Sequence, residues 1–247
     1  MPAPQSSLTF RRSSPLPQAS SEAAPDGRLE RARPLLGDRA LSRLATLRIA
    51  VFGVGGVGSW CAEALVRSGA RRLVLIDDDI VAPSNLNRQC EATDETLGAP
   101  KVEAMKSRLL SIVPEAEIEA LRVRFEPDSA LPDADIIVDA IDSVDSKAAL
   151  ILAATEKGVP IVSSMGAALR RDPTKVELRR FDKVAGDGLA RALRQRFKRL
   201  GRYPAKRFMA VCSTEPPAAL ETRASLMQVT AVFGMTLAAE VVRIASE

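Results

Sequence analysis

Gly53, Gly55, Gly56 and Gly58 stand in a GxGGxG spacing within VFGVGGVGSW, directly after an apolar run and directly before a helical pattern. Glycines at this spacing permit a tight turn and let phosphate oxygens approach backbone N–H groups at a helix N-terminus, where the helix dipole also favours an anion. The motif alone admits a bound nucleotide or a mere turn, and does not choose between nucleotides. Asp77, nineteen residues past Gly58, suits a ribose hydroxyl of NAD or of ATP equally well.

The following stretch, IDDDIVAPSNLNRQ, separates the two. A dehydrogenase uses Asp77 and leaves Asp79, Asn85, Arg88 and Gln89 without a task. A triphosphate under attack needs cations and magnesium ligands around it: Arg88 and Lys101 can neutralise phosphates, and Asp79 or Asp142 can hold Mg²⁺. Taken singly, each is as well explained by an ion pair or a helix cap; in this order they are not. The chain has no histidine, so neither an imidazole base nor an imidazole metal ligand is available. The one tyrosine, Tyr203, is followed four residues later by Arg207, so a Tyr-x-x-x-Lys pair for hydride chemistry is also missing.

These residues need a scaffold. Residues 48–52 and 73–76 read as buried strands flanking a helix from 57 to Gly69, a Rossmann-type βαβ unit. Helices at 101–112 and 145–157 and strands at 116–123, 135–138 and 160–163 extend it into an α/β, doubly wound, mostly parallel sheet. Extra C-terminal elements follow: strands at 175–181 and 208–212, a helix at 189–200 and a long apolar helix at 224–244. The last contains Gln228, Glu240 and Arg243, which favours a buried helix over a membrane span. A helix at 29–47 leads into the sheet. Residues 1–27, rich in Pro and Ser and without an apolar run, read as a disordered tail without a secretory signal, which points to the cytoplasm. Residues 28–247 then form one globular unit, ordinary for 46% hydrophobic and 27% charged residues. Cys61, Cys90 and Cys212 form no CxxC pair, so no structural zinc is expected; Cys61 reads as packing, Cys212 as a buried thiol, and Cys90 is left open.

GVGGVGSW, DDDIVAPSNLNRQ, GAPKVEAM and DAIDSVDSKAAL, in this order, resemble the ThiF/MoeB/ubiquitin-activating superfamily, whose members adenylate a carboxylate with ATP and Mg²⁺. The resemblance implies that Gly53, Gly55, Gly56 and Gly58 line the phosphates and Asp77 the ribose. It places Asn85, Arg88 and Lys101 on the triphosphate and Asp142 on the magnesium side. GGVGSW, DAIDSVDSKAALI, DPTKVEL (172–178) and STE (213–215) are most similar to the tRNA threonylcarbamoyladenosine dehydratase branch, which shares the lack of zinc CxxC pairs. That branch implies ATP-dependent cyclisation of N6-threonylcarbamoyladenosine at position 37 of ANN-decoding tRNA, a homodimer, and in some members a sulfur-relay partner. In related enzymes an N-terminal arginine crosses the dimer to ATP; Arg28, Arg31 and Arg33 are the candidates. The alternative is adenylation of a small ubiquitin-like or sulfur-carrier protein's C-terminus, which would bring Cys212 into play.

A tRNA substrate predicts a basic surface. The whole chain carries +4, yet residues 179–207 hold eleven Lys and Arg against two acids. Arg191, Arg194, Lys198, Arg199 and Arg202 are the expected contacts, with Phe197 and Tyr203 among them able to stack on a base or to pack beneath the helix.

Overall fold

The computed structural model describes residues 27–222 and 224–247. The expected N-terminal tail therefore lies outside the described residues apart from Gly27, which opens a short 3-10 turn.

Among the described residues, seven strands make one sheet: β1 (Arg48–Phe52), β2 (Arg72–Ile76), β3 (Glu117–Leu121), β4 (Ile136–Asp139), β5 (Ile161–Ser164), β6 (Val176–Arg180) and β7 (Met209–Ser213). Their order is β3-β2-β1-β4-β5-β7-β6, and every neighbouring pair is parallel except β6 with β7. Because alternate side chains of a strand face opposite ways, β1 feeds both layers. Ile49 and Val51 join one core with α1 (Arg33–Thr46), α2 (Gly58–Arg67), α3 (Lys101–Ile112) and α6 (Met227–Ser246). Ala50 and Phe52 join the other with α4 (Val144–Lys157) and α5 (Gly188–Leu200). Strands covered on both faces read as continuous apolar runs, as these do.

The chain order reverses between β1 and β4, so the connections leaving these two strands diverge and open a crevice at their C-terminal ends. Two expected helices differ in extent. The N-terminal one is interrupted: it begins as a 3-10 turn, and α1 is kinked at Gly37, whose φ of 76° is left-handed. The C-terminal one starts at Met227, three residues later than its apolar pattern suggests. By length and composition α6 could cross a membrane, but half of its most apolar stretch is buried, with Val229, Phe233, Leu237 and Val241 in the first core.

Candidate active site

The crevice is an open cleft of about 1110 Å³. Its floor is the glycine turn between β1 and α2. Gly58 admits no side chain, because a Cβ there would stand 1.8 Å from the Gly53 carbonyl oxygen. Asp77, half-buried at the end of β2, braces the turn: one carboxylate oxygen accepts from Val54 N (2.6 Å) and the other from Asp79 N (2.9 Å). Burial raises its pKa, and these hydrogen bonds with nearby Lys101 oppose the rise only in part.

Arg88 reaches over the turn, with its Cγ and Cδ 3.2 Å from where a Cβ on Gly56 would sit. Its guanidinium donates to Ser84 O (2.7 Å) and Asn87 Oδ1 (2.9 Å), and its own carbonyl is held by Trp60 Nε1 (2.8 Å). Asn85 Oδ1 accepts from Ala82 N (2.9 Å), fixing the loop that carries Arg88. Lys101, the first residue of α3, has a side chain only 7% exposed and donates to Asp79 Oδ2 at 2.8 Å. Of the two carboxylates considered for magnesium, Asp79 is thus engaged by Lys101, whereas Asp142 is exposed on the turn after β4 and lines the opposite wall. Gly53, Gly55, Gly56, Asp77, Asp79, Asn85, Arg88, Lys101 and Asp142 all line this one cleft, and Gly58 supports it from the first turn of α2.

One wall of the cleft was not foreseen. Ser164, residues 165–169, Leu189, Ala224, Ser225 and Thr230 form a second lobe of small and apolar groups. Asp187 pins its roof by accepting from Gly166 N (3.1 Å), and Leu169 bridges to residues 218 and 224 in a left-handed conformation (φ 62°) that strains a leucine. No local motif marks this lobe, because four separate segments build it.

Two buried charge sites also escaped the sequence. Lys147 is fully buried and donates to Asp139 Oδ2 (2.7 Å) and Ser163 Oγ (3.3 Å), while Asp139 Oδ1 accepts from Ile141 N (3.1 Å). The network anchors the turn that carries Asp142. A lysine facing the apolar side of α4, opposite an aspartate that ends an apolar strand, was the available signal. Glu91 is 2% exposed, and its carboxylate oxygens lack a well-aligned hydrogen bond, with Ser59 and its own backbone N–H, among the described residues, as the only donors acting on them. Burial pushes its pKa up to about 7; nearby Ser59 and Lys101 oppose this, and Asp77 adds to it.

The basic segment divides. Arg191, Lys198, Arg199 and Arg202 are exposed on or just after α5, Arg202 pairing with Glu156. Arg194 does not belong with them: it donates to Phe181 O (2.9 Å) and Val184 O (2.6 Å) and lies over the Phe181 ring, so its role is to bind the strand-to-helix connection. Phe197 is buried against Phe181, whereas Tyr203 is 63% exposed. Arg28 pairs with Glu115 and Arg33 with Asp38, and none of Arg28, Arg31 and Arg33 lines the cleft of its own chain. All three cysteines are buried free thiols, and burial pushes Cys212 up to about 11, which makes it a poor nucleophile at neutral pH.

The tRNA threonylcarbamoyladenosine dehydratase of Bacillus subtilis is 38% identical over 170 residues, 67% of this chain and 67% of that protein. The enzyme of the same name from Escherichia coli is 39% identical over 168 residues, 66% of this chain and 63% of its own length. The crystal structure of E. coli TcdA in complex with ATP superposes with a TM-score of 0.83 at 33% identity, covering 88% of this chain and 93% of that one. The ThiF family model matches residues 29–247, and the chain belongs to the ThiF family.

Proposed function

We propose that the chain is an ATP-dependent tRNA threonylcarbamoyladenosine dehydratase. The observation that carries this is the two-lobed cleft. One lobe has a glycine floor in which Gly53 and Gly58 leave no room for a Cβ, flanked by Arg88 and Lys101, the chemistry a triphosphate requires. The other is apolar and continuous with it, and at about 1110 Å³ the whole is larger than one nucleotide needs. E. coli TcdA, of the same fold, has been crystallised with ATP and with AMP.

In this reading Gly53, Gly55, Gly56 and Gly58 shape the phosphate floor, Asp77 meets the ribose, and Asn85, Arg88 and Lys101 hold the triphosphate. Lys101 exchanges Asp79 for phosphate as it does so. Asp142 would hold the Mg²⁺ that accompanies ATP, which supplies further charge neutralisation. The threonyl carboxylate of the modified adenosine attacks the α-phosphorus and pyrophosphate departs. The neighbouring ureido group then attacks the activated acyl carbon and AMP leaves with the carboxylate oxygen, so the ring closes with net loss of water. Both steps are intramolecular or pre-positioned, so orientation and charge neutralisation supply the rate without an imidazole base.

The tRNA body would lie along α5, on Arg191, Lys198, Arg199 and Arg202, with Tyr203 free to stack. Leu189, in the first turn of the same helix, lines the cleft, so this surface leads to its mouth. A homodimer and a cytoplasmic location complete the reading, and any sulfur-relay partner would dock outside the cleft. The test is mass spectrometry of nucleosides gently released from threonylcarbamoylated tRNA after incubation with the protein, ATP and Mg²⁺. An ATP-dependent loss of one water from the modified adenosine is expected. An unchanged nucleoside, with ATP–pyrophosphate exchange driven by a carrier-protein C-terminus, would transfer the activity to the alternative substrate.

A further inference from the structure

Asp187 has no task in the scheme above, yet it touches both of the surfaces that the scheme gives to the RNA. It is buried at the N-terminal end of α5 and divides its carboxylate between two elements. Oδ1 accepts from Ala190 N at 2.8 Å and caps the helix, while Oδ2 accepts from Gly166 N at 3.1 Å, in the wall of the cleft. Arg170, equally buried, stands with Nη2 3.9 Å from Oδ2, too far for a hydrogen bond but near enough to balance the charge.

A helix cap needs one oxygen, and serine or asparagine supplies it about as well as aspartate. The second oxygen is therefore the one that calls for a reason. The fit on its side is close, since a Cβ on Gly166 would lie 3.2 Å from Oδ2. Leu189 lines the cleft two residues beyond Asp187, and Arg191, exposed in the same helical turn, begins the basic face. At its ends the wall is also tied by backbone bonds, Met165 N to Val211 O (2.8 Å) and Leu169 N to Ala224 O (2.8 Å). One buried side chain thus joins the helix proposed for tRNA to the segment 165–169 of the second lobe.

We propose that Asp187 is a positioning residue. It fixes the 165–169 wall to the first turn of α5, so that RNA held on the helix presents its modified nucleoside to the cleft in the geometry that attack on ATP requires. The inference rests on the dehydratase reading. Asp187 itself meets neither ATP nor the nucleoside, so its loss leaves both binding surfaces in place and misaligns one against the other. Displacement of this kind, remote from the reacting atoms, lowers kcat by roughly ten- to a hundredfold.

The experiment uses the full chain beside Asp187→Asn, whose side-chain oxygen still caps Ala190 N but whose amide turns a donor towards Gly166 N and Arg170. Initial rates of water loss from threonylcarbamoylated tRNA at saturating ATP give kcat and KM; filter binding gives the tRNA affinity and equilibrium dialysis the ATP affinity. The expected result is a kcat at least about tenfold lower, with both affinities within about twofold of the unaltered chain. A lower melting temperature with kcat unchanged overturns the proposal and leaves Asp187 as a helix cap. A tRNA affinity that falls in step with activity also overturns it, because the residue then serves docking. An unaltered chain that binds ATP and tRNA but releases no water from the nucleoside overturns the dehydratase reading itself, and the proposal with it. Should Asp187→Asn not fold because Arg170 has lost its counter-charge, Asp187→Asn combined with Arg170→Met removes both buried charges, and the same comparison of kcat with affinity decides.

Discussion

Replacing Gly58 by alanine adds one methyl group at the point where the glycine turn meets α2. That methyl would stand 1.8 Å from the Gly53 carbonyl oxygen and 3.3 Å from Ala140 Cβ. Even a tight contact of 3.0 Å requires the two backbones to part by about 1.2 Å. The turn cannot yield quietly, because Gly53 N is bonded to Ile76 O (2.8 Å) and Val54 N to Asp77 (2.6 Å). The overpacking costs about 1–3 kcal/mol, partly offset by the roughly 1 kcal/mol that alanine gains over glycine in a helix. The melting temperature should therefore fall by only a few degrees. Nucleotide binding should suffer far more, because a floor displaced by this distance loses its charge-assisted hydrogen bonds to phosphate. Two such bonds at about 1.5–3 kcal/mol each amount to a hundredfold or greater loss of ATP affinity. Equilibrium dialysis against ATP and Mg²⁺, paired with thermal unfolding, measures both. A Gly58→Ala protein that binds ATP within threefold of the unaltered chain would refute the assignment of this turn as the phosphate floor.

Arg88→Ala and Lys101→Ala should each cost roughly 2.7–4 kcal/mol of transition-state stabilisation, read as kcat/KM for ATP; an unchanged value for either removes that residue from the triphosphate. Lys147→Met leaves Asp139 buried without its cation and should destabilise the fold by about 3–5 kcal/mol in urea unfolding, whereas Lys147→Met combined with Asp139→Leu should recover much of the loss. Burial pushes Glu91 up to about 7 from an ordinary 4.5, so the native state holds the extra proton and its stability falls as pH rises from 4.5 through 7. Glu91→Gln should therefore match the unaltered chain near pH 4 and exceed it by about 3 kcal/mol at pH 8, seen in denaturant midpoints at the two pH values. Lys198→Glu and Arg199→Glu should weaken tRNA binding and each flatten its salt dependence by about one ion, while Arg194→Glu should instead lower stability.

The sheet was legible because its strands are short apolar runs bounded by turn residues; β1 and α3 coincide with their expected bounds. Where bounds moved, backbone geometry overrode pattern: Gly37 interrupts α1 in the midst of a regular leucine spacing, and Ala224 and Ser225 line the cleft instead of opening α6, with Leu226 as its N-cap. That the glycines, Asp77 and Asp142 line one cleft was legible for a related reason: they sit in turns directly after β1, β2 and β4, where chain order almost fixes spatial position, whereas Asn85, Arg88 and Lys101 were legible only from the motif they share. The second lobe, Lys147 and Glu91 were not, since their meaning lies in burial and in partners brought from distant segments. Arg194 shows the converse, a cation counted into a charge run whose hydrogen bonds are spent on Phe181 and Val184.

Gly234 lets α6 cross α2 so closely that a Cβ there would lie 2.5 Å from Val57 O and 2.9 Å from Cys61 N, and Thr230, one turn earlier, reaches the wall above Gly56. The helix that supplies Thr230 to the cleft is synthesised after every strand of the sheet. A growing chain can therefore assemble βαβ units from its N-terminal side before the wall that α6 adds to the cleft is in place. On the ATP reading, a bound nucleotide would hold α6 against α2, so a chain broken before Met227 should lose affinity for the ligand and the stabilisation that the ligand confers together.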